Sequence, residues 1–401
     1  MRRAKLRSLL LYAHDTYGLG HLRRNLAIAQ KLISTDPWLR VVLLSGSPVA
    51  ERFSLPDGVV LVRLPPVVKV GPDEYRSRDP RWSQQLVRRT RSAIMADVAC
   101  RFRPDVFLVD HAPQGMQGEL LPVFAALRSG SPRTRIVLGL RDVVDAPEVV
   151  RRAWGEQGVY ATLEQVFDRI LVYGSRDLFD VAAAYQLPGA VESKLTYCGY
   201  LGRPVPAGEP NRAPVVLGTA GGGGDGAEVL LATISASQAL GLPCLVVTGP
   251  LMEGEDRRRV EAAAALAGGA RAVEFVADMA HTMASARAVV TMGGYNSLCE
   301  LAPLSVPVLV VPRTYPRREQ EIRARLFAER GVVRLVEPGG GLADRLRLAI
   351  QQALSGQPPQ LCGVDLQGLT RVAAALEREA ARAWKAGPPA IDLAAPELVP
   401  A

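Results

Sequence analysis

Short apolar runs recur along this chain, each followed by a stretch with apolar residues at helical spacing, and the pattern occurs twice. In the first half the runs are Leu9–Ala13, Val41–Leu44, Val59–Leu64, Val106–Val109, Ile136–Leu140 and Ile170–Tyr173, with Leu195–Cys198 also extended. Helical stretches such as Leu22–Ile33 and Val149–Phe167 lie between them. Such alternation builds βαβ units, because a parallel neighbour can be reached only by a crossover. The segment "GYLGRPVPAGEPNRAP", Gly199 to Pro214, then breaks the pattern with proline and glycine and predicts a linker. The alternation restarts at Val215–Leu217 with a glycine loop and a helix from Ala227. Further strands are expected at Cys244–Val247, Ala272–Phe275, Ala288–Thr291, Val308–Val311 and Val332–Leu335. At 401 residues the chain exceeds one ordinary core. The spacing predicts one α/β domain over 1–200, a linker over 201–214, a second α/β domain over 215–385 and a flexible tail over 386–401. Ligands of such sheets bind beyond the carboxyl ends of the strands, so the cleft between the domains is the expected site.

Composition narrows the partners. A hydrophobic fraction of 48% with 22% charge is that of a globular domain. The basic, leucine-rich N-terminus imitates a signal peptide, but its apolar run stops at His14 and Asp15. No stretch approaches the ~18–20 apolar residues that span a bilayer. A cytoplasmic location is expected, with peripheral contact at the inner face of a membrane as the alternative. The five cysteines are odd in number, widely spaced and without a CxxC pair, which reads as reduced buried thiols. A net charge of +8 attracts anions. The basic residues are scattered, however, aromatics are 5%, and no nucleic-acid-binding pattern occurs. An anionic nucleotide or an acidic membrane surface is therefore expected rather than nucleic acid.

Two glycine loops invite comparison with dinucleotide sites. "YGLGHLRRN" supplies Gly18 and Gly20, but Arg23 stands where the third glycine belongs, and no acidic residue closes the second strand. "TAGGGGDG" fits G-x-G-x-x-G through Gly221, Gly223 and Gly226, with Gly222 between them, and again lacks the ribose-binding acid. Its backbone N–H groups suit a pyrophosphate, whereas a nicotinamide or flavin site is poorly supported. Farther on, "TMGGYNSLCE" turns a strand into a helix at Gly293-Gly294. Ser297 and Glu300 there have the spacing of a capping box. The alternative is that Ser297 and the helix N-terminus meet phosphate while Glu300 accepts both hydroxyls of a ribose.

The segment from Val276 to about Val333 resembles the donor-nucleotide half of GT-B glycosyltransferases of the family-28 type. That family's Gly-x-x-(Ser/Thr)-x-x-Glu is matched by Gly294, Ser297 and Glu300. Its proline-bounded strand is matched by "VPVLVVP", its acidic-Gln pair on the donor sugar by Glu319-Gln320, and its base-contacting Asp-Met by Asp278-Met279. The chain departs from the pattern at Tyr295 and Asn296, where small residues are usual, and at the basic stretch Arg313, Arg317 and Arg318. Those arginines either add charge near a diphosphate or form an exposed face. The resemblance covers both halves, more loosely in the first, and implies two Rossmann-like domains facing across a cleft.

In GT-B enzymes the first N-terminal loop carries a Gly-x-Gly-His element facing the cleft, matched by Gly18, Gly20 and His21. The resemblance implies that His21 deprotonates the acceptor hydroxyl, a task that suits an unperturbed pKa of about 6.5. The other reading is a polar residue at a helix start. Asp110, at the end of its strand, either orients His21 or caps a loop. His111 and Glu119 are weaker acceptor-side candidates. Arg141 either meets an acidic acceptor group or pairs with Asp142. The four histidines are too dispersed for a recognisable metal site, and D-x-D is absent, so no metal and no cofactor is expected.

The expected function is metal-independent transfer of a sugar, with inversion, from a nucleotide-sugar donor (UDP-linked by resemblance) to an unidentified acceptor hydroxyl on a glycan, lipid or small molecule. A nucleotide-sugar epimerase or hydrolase, or a non-catalytic nucleotide-sugar-binding protein, are the alternatives on the same fold.

Overall fold

The computed structural model describes residues 5–14, 20–69, 71, 74–203, 214–356 and 363–385. Gly18, most of the 201–214 linker and the 386–401 tail lie outside them. In the N-terminal half the strands are β1 (Ser8–Ala13), β2 (Arg40–Ser45), β3 (Val59–Arg63), β4 (Val67–Lys69), β5 (Tyr75–Ser77), β6 (Val106–Asp110), β7 (Arg135–Arg141), β8 (Arg169–Tyr173) and β9 (Leu195–Tyr197). Its helices are α1 (Gly20–Thr35), α2 (Gln84–Phe102), α3 (Leu121–Gly130), α4 (Pro147–Glu156), α5 (Val159–Gln165), α6 (Val181–Ala184) and α7 (Gly189–Glu192). The C-terminal half has β10 (Val216–Thr219), β11 (Cys244–Val247), β12 (Ala270–Val273), β13 (Ala288–Thr291), β14 (Val308–Val310) and β15 (Arg334–Leu335). Between and after them run α8 (Ala227–Ala239), α9 (Gly254–Leu266), α10 (Met279–Ser285), α11 (Tyr295–Leu301), α12 (Glu319–Glu329), α13 (Leu342–Ser355) and α14 (Gly368–Lys385).

The strands form two parallel sheets, β3-β2-β1-β6-β7-β8-β9 and β12-β11-β10-β13-β14-β15. Every residue of β1 is buried, as expected for a sheet with helices on both faces. In each sheet the strand order reverses beside the first strand, between β1 and β6 and between β10 and β13. The crossovers leave such a point to opposite faces and open a crevice at the strand ends. Close packing fixes one glycine nearby: a Cβ on Gly139 of β7 would overlap the Tyr173 hydroxyl on β8.

Two features depart from the sequence expectation. The helical stretch Val149–Phe167 is two helices, broken where Gly158 takes a left-handed φ of 66°. The last helix, α14, packs chiefly on the N-terminal half rather than on the 215–385 unit to which its position assigns it. It lies against α1, β6, β7 and β8 of the N-terminal sheet. Val372, Leu376 and Ala380 join an apolar layer that also holds Leu9, Leu11, Leu22 and Ala29, and that continues through Tyr295 and Phe327 to Val289 and Val310. One core thus runs through both sheets. Leu376→Ala should cost about 2–5 kcal/mol, read as a lower denaturation midpoint; an unchanged midpoint would place α14 outside the core.

Candidate active site

Both crevices open toward each other. His21 lies in the first turn of α1, directly after β1, and Asp110 ends β6. Its Nδ1 is 2.6 Å from Asp110 Oδ2. Three residues on in the same helix, Arg24 grips that carboxylate with both prongs, Nε to Oδ1 at 2.8 Å and Nη2 to Oδ2 at 2.7 Å. Arg24 Nη2 also lies 3.0 Å from His21 Nδ1. One nitrogen cannot both donate to Asp110 and accept from Arg24. An ionised carboxylate can only accept, so Nδ1–H donates to Asp110 and Nε2 keeps its lone pair. Among the described residues nothing bonds Nε2.

Burial pulls the His21 pKa down to about 4, helped by Arg24 and Arg141 and opposed by Asp110. Burial works against ionising Asp110, but Arg24 and His21 outweigh it and hold the carboxyl well below its usual range. His111 follows Asp110 in the left-handed region, φ 68°, and burial with Arg141 alongside keeps it neutral. Its ring centroid is 5.5 Å from that of His21, and His14 is 5.7 Å away on another side. Three histidines remote in sequence therefore meet here, although no group of His, Cys, Asp and Glu among the described residues could hold a metal ion.

Glu119 is not part of this cleft. Its carboxylate takes both prongs of Arg91, at 2.6 and 2.8 Å, and the Tyr12 hydroxyl at 2.7 Å, and it is fully buried. The acceptor-side expectation for it fails because the carboxylate is sealed in the core with these three donors. Arg141 does not pair with Asp142 either. Asp142 instead receives Arg323 of α12 at 2.8 and 3.0 Å and the Tyr200 hydroxyl at 2.9 Å, with Asp142 1% and Arg323 0% exposed.

The opposite wall comes from the second sheet. Ser297 is inside α11 and caps nothing: the cap is Gly294, without a side-chain hydrogen bond. The helix starts earlier than its capping-box spacing suggests because Tyr295 and Asn296, the two unusual residues, are held by the other domain. Asn296 Nδ2 donates to the Gly20 carbonyl at 2.8 Å. Tyr295 stacks on Tyr200, accepts from the Leu201 N–H at 3.2 Å, and carries Arg24 and Arg323 each 5.5 Å from its ring centre. Glu300 is buried, with Arg23 Nη2 at 2.6 Å and Arg203 Nε at 3.3 Å on Oε1. Glu319 pairs with Arg313 at 2.7 Å and leaves Oε2 buried without a partner. Gln320 Oε1 accepts from the Arg313 N–H at 3.1 Å, and Arg313 reaches Asp225 of the glycine loop at 3.1 Å. In that loop Gly221 has open space around it, whereas a Cβ on Gly223 would overlap the Thr248 carbonyl, so packing alone demands the second glycine. Asp278 caps α10 by accepting from the His281 N–H at 2.9 Å, and Met279 packs on the shared core.

Residues 222–357 match the family described as glycosyltransferase family 28 C-terminal domain. Over 341 residues, 79% of this chain, it is 28% identical to the UDP-N-acetylglucosamine--N-acetylmuramyl-(pentapeptide) pyrophosphoryl-undecaprenol N-acetylglucosamine transferase of Nocardia farcinica, spanning 80% of that protein. The enzyme of the same name from Shouchella clausii is 28% identical over 104 residues, 25% of this chain but only 29% of that protein. Acinetobacter baumannii MurG superposes with a TM-score of 0.55 at 13% identity, covering 93% of this chain and 99% of that one. LpCGTa, solved in complex with UDP, superposes with a TM-score of 0.56 at 17% identity over 95% of this chain and 96% of its own. Residues 222–357 thus carry a glycosyltransferase family 28 C-terminal domain, and the chain as a whole has the two-domain GT-B fold.

Sequence reasoning brought His21 and Asp110 together but missed Arg24, although a residue three positions along a helix shares the face of the first. Nothing local signals that Arg23 and Arg203 meet Glu300, because that contact exists only once the two domains are docked. Asp142→Asn should leave Arg323 buried without a counter-charge and cost about 3–5 kcal/mol, measured by denaturant unfolding; a loss under ~1 kcal/mol would show that solvent reaches the pair. Stability should also be acid-sensitive. Native His21 refuses a proton down to about pH 4, while the unfolded side chain accepts one near 6.5. The unfolded state therefore binds more protons between these values, and stability falls as pH drops from about 6.5 toward 4. His21→Gln should flatten that part of the melting-temperature profile; an identical profile would contradict a buried neutral imidazole.

Proposed function

We propose that this glycosyltransferase moves a sugar from a UDP-linked donor to an acceptor hydroxyl, with His21 as general base, one inverting displacement and no metal. The observation that carries the reading is the His21–Asp110 pair at the first crevice, 2.6 Å apart, facing a second crevice built from the family-28 segment. His21 Nε2 takes the acceptor proton as the oxygen attacks the anomeric carbon, and the bond to the diphosphate breaks with its electron pair leaving on phosphate. Asp110 stabilises the imidazolium that forms without itself taking the proton. Gly221, Gly222 and Gly223, with Met279, Gly294, Ser297, Glu319 and Gln320, are assigned to the donor and Glu300 to its ribose. The ribose must share or displace Arg23 and Arg203 on that carboxylate. Gly18 and Gly20 are assigned to the acceptor side.

Peripheral membrane contact is part of the proposal. No helix among the described residues is long and apolar enough to cross a membrane. Exposed Trp82 and Leu86, at the start of α2, lie among exposed Arg78, Arg81 and Arg89. Gln84 and Arg88 bond to Gln117, next to exposed Leu121. Apolar side chains within a basic surround suit an anionic lipid interface.

The assignment is tested by separating binding from turnover. Glu300→Ala should weaken UDP binding by roughly tenfold or more, since a charged hydrogen bond is worth about 1.5–3 kcal/mol. His21→Ala should lose about 10²–10⁴ in kcat while UDP affinity, followed by calorimetry, stays within a few-fold. A collapse of UDP affinity in His21→Ala with kcat preserved would reverse the roles of the two domains.

A further inference from the structure

Among the described residues, five arginines around the cleft have carboxylate partners and Arg141, at its centre, does not. Arg24 is bound to Asp110, Arg323 to Asp142, Arg313 to Glu319 and Asp225, and Arg23 and Arg203 to Glu300. Arg141, at the end of β7, has no ion pair among the described residues. Its Nη2 donates to His111 Nε2 at 2.8 Å, and that imidazole is neutral, so it orients the guanidinium without balancing its charge. Burial, with Arg24 and Arg323 nearby, pulls the Arg141 guanidinium down to about 10; Glu319 and Asp110 act in the opposite sense from a distance and are already bound elsewhere. Arg141 is half-buried, and a cation drawn partly out of water without a counter-charge is poorly compensated. The uncompensated position lies on the acceptor wall: the His111 ring that holds Arg141 is 5.5 Å, centre to centre, from the His21 ring.

We propose that Arg141, oriented by His111, binds an anionic group of the acceptor, a phosphate, diphosphate or carboxylate, close to the hydroxyl that His21 deprotonates. This rests on the reading of His21 and of the N-terminal domain as the acceptor side. It restricts acceptors to acidic molecules, whether lipid-linked or soluble, and a neutral sugar or sterol lacks the group that Arg141 requires. The donor's diphosphate is the other conceivable source of negative charge, and the experiment separates the two.

Inorganic pyrophosphate is titrated calorimetrically into the full chain saturated with UDP, so that the donor's diphosphate position is filled. Wild type, Arg141→Gln and Arg141→Lys are compared, and UDP alone is titrated into each in parallel. Pyrophosphate should bind the UDP-saturated wild type, weaken at least about tenfold in Arg141→Gln and recover in part in Arg141→Lys, with UDP affinity within about threefold throughout. Without anion, the melting temperature of Arg141→Gln should equal or exceed that of wild type, because the substitution removes a cation that lacks a carboxylate. Absence of pyrophosphate binding, or binding indifferent to Arg141, overturns the proposal. A parallel loss of UDP affinity gives the anion to the donor and overturns it too. A melting temperature several degrees lower makes Arg141 a structural residue. Wild type that binds pyrophosphate but not UDP defeats the UDP-donor reading instead, a result visible in the parallel titration.

Discussion

The buried pair of Asp142 and Arg323 joins the two halves of this molecule. Asp142 follows the end of β7 and Arg323 belongs to α12, so the contact spans the domains, at essentially zero exposure. A pair so placed gains little over apolar side chains, because both charges must leave water. Its consequence is positional. The carboxylate also holds Tyr200, whose ring stacks on Tyr295, and Arg323 lies over Tyr295 in turn. Tyr295 opens α11, and the next residue reaches the carbonyl of Gly20. The glycine turn of the second sheet is thereby set against the first turn of α1, one residue from His21. A purely apolar contact would slide at little cost, whereas a bidentate pair with a second donor on the same carboxylate has one geometry.

Much of the fold was legible because a buried parallel strand is written as a local apolar run. Each of the thirteen runs read from the sequence coincides with a strand of one of the two sheets, with ends shifted by one or two residues. The hairpin of β4 and β5 was not legible, since three-residue strands have no period to detect. The placement of α14 was equally hidden. Its apolar face is evident from spacing, but which sheet it covers depends on the return of the chain to Tyr200, where Gly368 N–H donates to the carbonyl at 3.0 Å.

The candidate site divides along the same line. His21 and Asp110 were legible because strand ends beside a reversal of strand order must converge. Glu119 misled because an acidic residue shortly after a strand looks the same whether it faces a cleft or, as here, a buried arginine on α2. Ser297 misled because capping-box spacing is satisfied by any serine three residues before a glutamate, while the true start of α11 is dictated by Asn296 and Tyr295 bonding to the other domain. Two of the residues that depart from the family pattern thus help hold the domains together.

Charge balance ties these observations to chemistry. Burial, with the guanidinium groups of Arg24 and Arg141, opposes a second proton on His21, and Asp110 favours it. As a general base, a group with so low a proton affinity would be fully available at neutral pH yet pull weakly on a hydroxyl. Negative charge brought by ligands reverses the balance, because each anion near the imidazole favours its protonated form. A donor diphosphate on one wall and an acceptor anion on Arg141 would raise the basicity of His21 only when both substrates are seated. If His21 is the base, the cationic surround that lowers its proton affinity would be neutralised by the molecules whose reaction needs it, coupling proton transfer to occupancy of the whole site.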